Sequence, residues 1–418
     1  MTEIPHEPST TTPRAHAVAV TVIGLGLTQV IGWGTSFSAL AILGTPIARD
    51  LDLPREAVFA GMTIMLIVSG LISPAVGRRV DRDGPLRLMM IGSALSAAAL
   101  LLMSVATGPL IYGLAWSVFG VAVPMALGTT AVSACVQVAG PQSRRAVTGL
   151  IIIAGLTSFF FLPLTAWLEA RHGWRGTLQW FALGHLLLAL PIHYAVLPRG
   201  RPEQHPDQNS TDAPWDGLLP VRLQKRAFLL IVAWSCLEGM LVWGFNLQAV
   251  DLLQGLGLPL ASAVAVWMFS APSQALSRVA DFMLAGRYSV MATGLVAAAM
   301  APIGFAILYL GGFGFVPAAL MAIFYGVGHG LFAIARNILP LRLFGMQTYG
   351  ATMGRLSMPQ NIANGLAPIL FAALLARMGS EAALLFAAAC ALVSLVCVAL
   401  LARTVAEGER DPRVTPPA

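Results

Sequence analysis

Long apolar runs recur along the chain, broken only by short clusters of Arg, Asp, Gly and Pro. About 20 apolar residues are enough for a helix to cross a hydrocarbon core. The runs predict helices at 17–46, 57–76, 88–106, 110–138, 147–168 and 177–197, and again at 227–250, 260–284, 289–310, 316–341, 356–376 and 382–402. Twelve spans make an all-α membrane protein. The longest polar stretch, rich in Pro, Asp, Gln and Arg, separates the sixth span from the seventh and reads as a linker. The expected layout is a tail at 1–15, a six-helix half at 16–197, a linker at 198–226, a second half at 227–402 and a tail at 403–418.

The second six spans repeat the first. A shift of 205 residues lays Leu51-Asp52-Leu53-Pro54 on Leu256-Gly257-Leu258-Pro259, Gly140 and Gln142 on Gly345 and Gln347, Ala146 and Gly149 on Ala351 and Gly354, and Pro163 on Pro368. One offset held across several helix pairs is what a parallel duplication of six helices predicts, with a site near the midplane between the halves. Trp33-Gly34 and Trp243-Gly244 match at a slightly different offset.

Composition and charge sharpen the assignment. With 57% apolar and 11% charged residues and a mean hydropathy of +0.77, the chain carries too much hydrocarbon for a water-soluble fold. The net charge of +6 does not point to nucleic acid, because the basic residues flank the spans, where they set orientation. Eighteen Arg and Lys fall on the side of the N-terminus and five on the other, so both termini are expected in the cytoplasm. Residues 1–15 contain no apolar core of a cleavable leader. Arginine nearly excludes lysine, Lys225 being the single one, which points to a GC-rich bacterial gene and an inner-membrane protein. Cys135, Cys236, Cys390 and Cys397 all lie in apolar runs, without zinc or disulfide spacing.

The segment Gly77 to Arg87, GRRVDRDGPLR, holds six charges in eleven residues between two apolar runs. Gly77, Asp81, Arg82 and Gly84 fit G-x-x-x-D-R-x-G, and the loop resembles the one between the second and third helices of the major facilitator superfamily, although Pro85 stands where that family usually has a basic residue. The resemblance implies two six-helix halves rocking about a central site, with Gly77, Asp81, Arg82 and Gly84 as a conformational latch. Gly286-Arg287 falls on Asp81-Arg82 under the 205-residue shift, a remnant of the same loop. Arg144-Arg145-Ala146, Gly149 and Ala154-Gly155, with Arg278 in helix 8, resemble the monocarboxylate porter branch, which implies a small organic anion moved with a proton. Two positions depart from that branch: Gln274 stands where its animal members carry Asp, and Gly32-Trp33-Gly34 replaces an acidic Gly-Trp signature.

Ionisable groups at membrane depth are costly unless they face a partner or a wet cavity, so each is a candidate. Glu238 lies roughly 16 Å into helix 7 and is the nominee for proton coupling. Arg278, roughly 12 Å from Gly286, is the leading anion-binding candidate, with a local pair to Asp281, three residues on, as the competing role. Arg336 and His329 in helix 10, Gln29 in helix 1 and Asn364 in helix 11 are further substrate-binding candidates. Thr28, Gln137, Gln360 and Asn361 are weaker ones. His185 and His193, on a peripheral helix, read as structural. The chain has no G-x-S-x-G, H-E-x-x-H or G-x-x-x-x-G-K-[ST], so neither an enzyme nor ATP, metal or other cofactor is implied. The expected partners are a small-molecule substrate, protons and the lipid bilayer, with a monomer as the working unit. Export of drugs or metalloids is the alternative, and a non-transporting receptor a remote one; no G-P-x-x-G-G run supports the first.

Overall fold

The computed structural model describes residues 11–199, 219–285 and 287–410. Most of the expected linker (200–218), the outer parts of both tails and Gly286 lie outside the described residues. The chain forms α1 (His16–Asp50), α2 (Arg55–Asp83), α3 (Leu86–Ser104), α4 (Pro109–Ala139), α5 (143–172), α6 (174–196), α7 (Val221–Gly255), α8 (260–284), α9 (Val290–Leu310), α10 (Phe315–Phe344), α11 (349–378) and α12 (380–409). α5 runs into α6 and α11 into α12 through one non-helical residue each, Gly173 (φ 65, ψ 176) and Gly379 (φ 84, ψ 176). Such angles belong essentially to glycine. α8 is broken at 268–269, α4 at Leu127-Gly128 and α5 at Gly155-Leu156.

The repeated Leu-x-Leu-Pro segments adopt one conformation in both halves. Leu51 and Leu256 end α1 and α7, Asp52 and Gly257 take positive φ, and Leu53 and Leu258 donate to the carbonyls of Ala48 and Leu253. This is a helix stop in which the chain closes back on the last turn. Pro54 and Pro259, both extended, then start α2 and α8 with the missing N–H where no partner is needed. Deeper in the bundle the halves match at an offset of 210. Gly34 of α1 lies against the ring of Phe161 in α5, and Gly244 of α7 against Phe371 in α11. Each of these glycines sits in a π-helical bulge, Gly34–Ser38 in α1 and Leu241–Phe245 in α7.

Packing differs between the two ends of the bundle. At the end that carries Arg78, Arg79 and Arg87, one apolar core runs through both halves, from Leu25, Val136 and Val147 to Ile231, Ile338, Met353 and Val398. At the opposite end each half keeps its own core, built around Trp116 and Phe119 in one and Phe245 and Phe305 in the other. The halves are therefore closed on each other at the arginine-rich end.

Candidate translocation site

Two contacts seal the arginine-rich end. In the first, α2 meets the start of α11. Asp81 accepts the backbone N–H of Gly350 at 2.8 Å and of Ala351 at 2.7 Å. These N–H groups lie in the first turn of α11 and have no partner within the helix, so a carboxylate there also meets the positive end of the helix dipole. Gly77 rests on the carbonyl of Gly350, and Gly354 on that of Ser73. Higher up, Asn361 donates to Ser69 at 3.3 Å and Thr63 to the carbonyl of Gly365 at 3.0 Å. Gly84 (φ 80) ends α2. Arg82 points outward and pairs with its neighbour Asp83 at 2.8 Å, whose carboxyl it holds below the usual carboxylate range.

The second contact was not legible in the sequence. Arg144, at the start of α5, crosses to α8 and donates to Asp281 at 2.9 Å. The Asp281 side chain is wholly buried and also accepts from Tyr288 at 2.8 Å and Thr293 at 3.2 Å. Arg144 adds a bond to the Tyr288 carbonyl at 2.7 Å and lies over the Tyr288 ring. Burial, then the hydrogen bond to Asp281, push the Tyr288 phenol up to about 12, so it remains a donor at neutral pH. The sequence places Arg144 among the orienting charges and in the porter-like run, and neither reading names a partner for it. Only the fold brings it to an acid 137 residues away.

That pairing settles the position of Arg278. Its expected alternative partner, Asp281, is engaged by Arg144, and Arg278 forms no ion pair and no side-chain hydrogen bond among the described residues. The side chain is 8% exposed and its Nε is buried without a partner. It reaches across the interface of the halves to the break in α5, where a methyl group on Gly155 would stand 2.8 Å from Nη1 and 3.2 Å from the Ile152 carbonyl. The break removes side-chain bulk and presents the carbonyl end of a half-helix, both of which favour a guanidinium. His329 lies within electrostatic reach of Arg278, partly exposed and parallel to the Tyr325 ring. Arg336, two turns along α10 from His329, donates to Ser357 at 3.3 Å, leaves Nε unpartnered and lies near Cys236. The two guanidiniums make an electropositive strip at membrane depth, with the His329 ring beside Arg278, and no carboxylate is paired to either guanidinium among the described residues.

Most of the remaining candidates are engaged within the protein, whereas Gln137 and Gln360 each keep a buried Oε1 without a partner. Gln29 donates to the Ala126 carbonyl at 3.1 Å and accepts from the N–H of Gly128 at 2.8 Å, bridging the break in α4. Asn364, in the amide orientation that satisfies both atoms, accepts from Trp243 Nε1 at 3.2 Å and donates to the Gln360 carbonyl at 3.1 Å. Glu238 accepts from Ser394 of α12 at 2.6 Å, inside the second half. His185 bonds Thr35 and His193 bonds Ser93, within the first half. Toward the far end, Phe37 and Trp243 meet edge to face across the halves, their ring centres 4.9 Å apart.

The comparisons agree with this architecture. Residues 24–345 match the family profile of the Major Facilitator Superfamily. A relative in Thermoproteus tenax, described as an uncharacterised 38 kDa protein in a 23S RNA operon, is 26% identical over 385 residues, 89% of this chain and 93% of that protein. Among solved structures, the human organic anion transporter MFSD10 (TETRAN) superposes with a TM-score of 0.69 at 13% identity, covering 94% of this chain and all of that one. The E. coli fucose:proton symporter FucP gives 0.62 at 14% identity, with 94% and 99% covered. A match over most of the chain, a fold of paired six-helix halves and a polar site between them lead to one conclusion: the chain is an integral membrane protein that belongs to the major facilitator superfamily of transporters.

Proposed function

We propose that this protein is a secondary active transporter that moves a small organic anion across a bacterial inner membrane by alternating access, coupled to a proton. The observation that carries the reading is Arg278, a buried guanidinium on the interface of the halves with no acid paired to it. A buried cation without a counter-ion is costly, and a substrate carboxylate would supply the missing partner through charge-assisted hydrogen bonds. Arg336 extends the positive strip, and His329, whose Nδ1 has no partner, adds a hydrogen-bonding group beside Arg278. Asp81, with Gly77 and Arg82 in the last turns of α2 and Gly84 at its end, holds α2 on α11 in the state closed at the arginine-rich end, which orientation by positive charge assigns to the cytoplasm. Both termini are then cytoplasmic. Glu238 is the proton carrier in this reading, acting through α7 and its bond to α12 rather than by touching the anion.

Uptake of labelled small carboxylates into proteoliposomes, with and without a pH gradient, tests the proposal. Wild type should accumulate carboxylate down the gradient, Arg278→Ala should lose uptake, and Glu238→Gln should keep binding but lose its dependence on the gradient. Wild type that moves no carboxylate yet expels cationic dyes would overturn the anion reading. Gradient-driven uptake that survives in Glu238→Gln would remove that residue from the coupling step.

A further inference from the structure

We infer that the transported anion has a flat apolar body, held by Phe37 and Trp243 while its charged group meets Arg278 and Arg336. The inference rests on the organic-anion reading above. Both rings arise from the π-helical bulges of the first helix of their halves, Phe37 from α1 and Trp243 from α7, and each is partly exposed, Phe37 at 40%. π-bulges turn side chains out of register and are frequent at functional sites. Trp243 has one polar atom, and Asn364 already takes it, so what the indole offers a ligand is its face.

The spacing can be read along α11. Ser357 meets Arg336 and Asn364 meets Trp243, seven residues apart, which at 1.5 Å per residue is roughly 10 Å. A carboxylate at the guanidiniums thus leaves room for a body of several carbons before the ring pair. The chemistry of that body follows from what surrounds it. Gln29, Asn361 and Asn364 are bonded within the protein and Gln360 offers a single unpartnered oxygen, so a sugar rich in hydroxyls would leave many of them unsatisfied on leaving water. A second carboxylate would face aromatic π-clouds, whose faces are negative. A planar hydrocarbon or aryl group meets neither penalty.

The test compares binding of 3-phenylpropionate, propionate, succinate, L-fucose and uncharged 3-phenylpropanol to the purified full-length protein by calorimetry. Wild type should prefer 3-phenylpropionate to propionate by roughly tenfold or more, from ring burial and aromatic contact. Phe37→Leu and Trp243→Leu, which keep an apolar side chain, should erase most of that preference while leaving propionate affinity unchanged. Equal binding of propionate and 3-phenylpropionate, or a preference untouched in both variants, would overturn the inference and leave the anion reading standing. Binding of 3-phenylpropanol as tight as that of the acid, in wild type and Arg278→Ala alike, would overturn the anion reading instead. Tighter binding of succinate or L-fucose than of 3-phenylpropionate would overturn the inference directly.

Discussion

A single missing methyl group shapes the site. Gly155 leaves the space that the Arg278 guanidinium fills, at the carbonyl end of a half-helix. Gly155→Ala should push Nη1 away by several tenths of an ångström and raise the KM for carboxylate uptake by about tenfold, equivalent to roughly 1.4 kcal/mol of lost binding. The folded stability should hardly change, which a thermal melt would check; a normal KM would mean that Arg278 does not touch substrate. Arg278 itself was legible in the sequence because a charge far from either end of an apolar run is anomalous whatever the fold. Gly155 and Arg144 were visible only as parts of a family-like run, and the pairing of Arg144 with Asp281 not at all, because it depends on the packing of α5 on α8. The candidate amides show the opposite failure: Gln29 and Asn364 have the right depth, but depth says nothing about whether a helix break or an indole already holds them.

Two elements act on each half-to-half contact at the arginine-rich end, and they differ in physical character. α2 on α11 is a close, glycine-lined contact fastened by Asp81 on free helix N–H groups, whereas α5 on α8 is fastened by a buried ion pair. Asp81→Asn keeps the shape but removes the charge, a loss of about 1 kcal/mol at a helix terminus. It should slow transport by weakening the closed state without abolishing substrate binding, measured as Vmax against Kd; loss of affinity would contradict the latch role. Asp281→Asn should cost more, about 3–5 kcal/mol, because Arg144 is left buried and unpaired. Arg144→Gln combined with Asp281→Asn should recover part of that loss in a thermal melt, and strictly additive losses would show the pair to be uncoupled. The elements themselves were readable from the chain, since apolar length and the 205-residue repeat carry helix number and pairing. Their breaks were not: α4, α5 and α8 are interrupted inside continuous apolar runs, where hydropathy has no contrast to offer.

The whole molecule has its halves joined through one core at the arginine-rich end and two separate cores at the other. That asymmetry describes one of the two states that alternating access requires. Ser69→Cys with Asn361→Cys, on a background free of the four native cysteines, joins α2 to α11 where the two side chains now meet at 3.3 Å. Oxidation should stop uptake and a reductant should restore it; cross-linked protein that transports at the uncross-linked rate would show that α2 and α11 need not part. At the far end, single glycines are all that separates α5 from α6 and α11 from α12. A one-residue turn gives α6 and α12 little slack against the helices before them, so they are towed along, and neither junction presents a loop on that face. An antibody, a protease or an inserted epitope finds no loop to grip at either junction, and adding one would cut the tow-rope rather than decorate the surface.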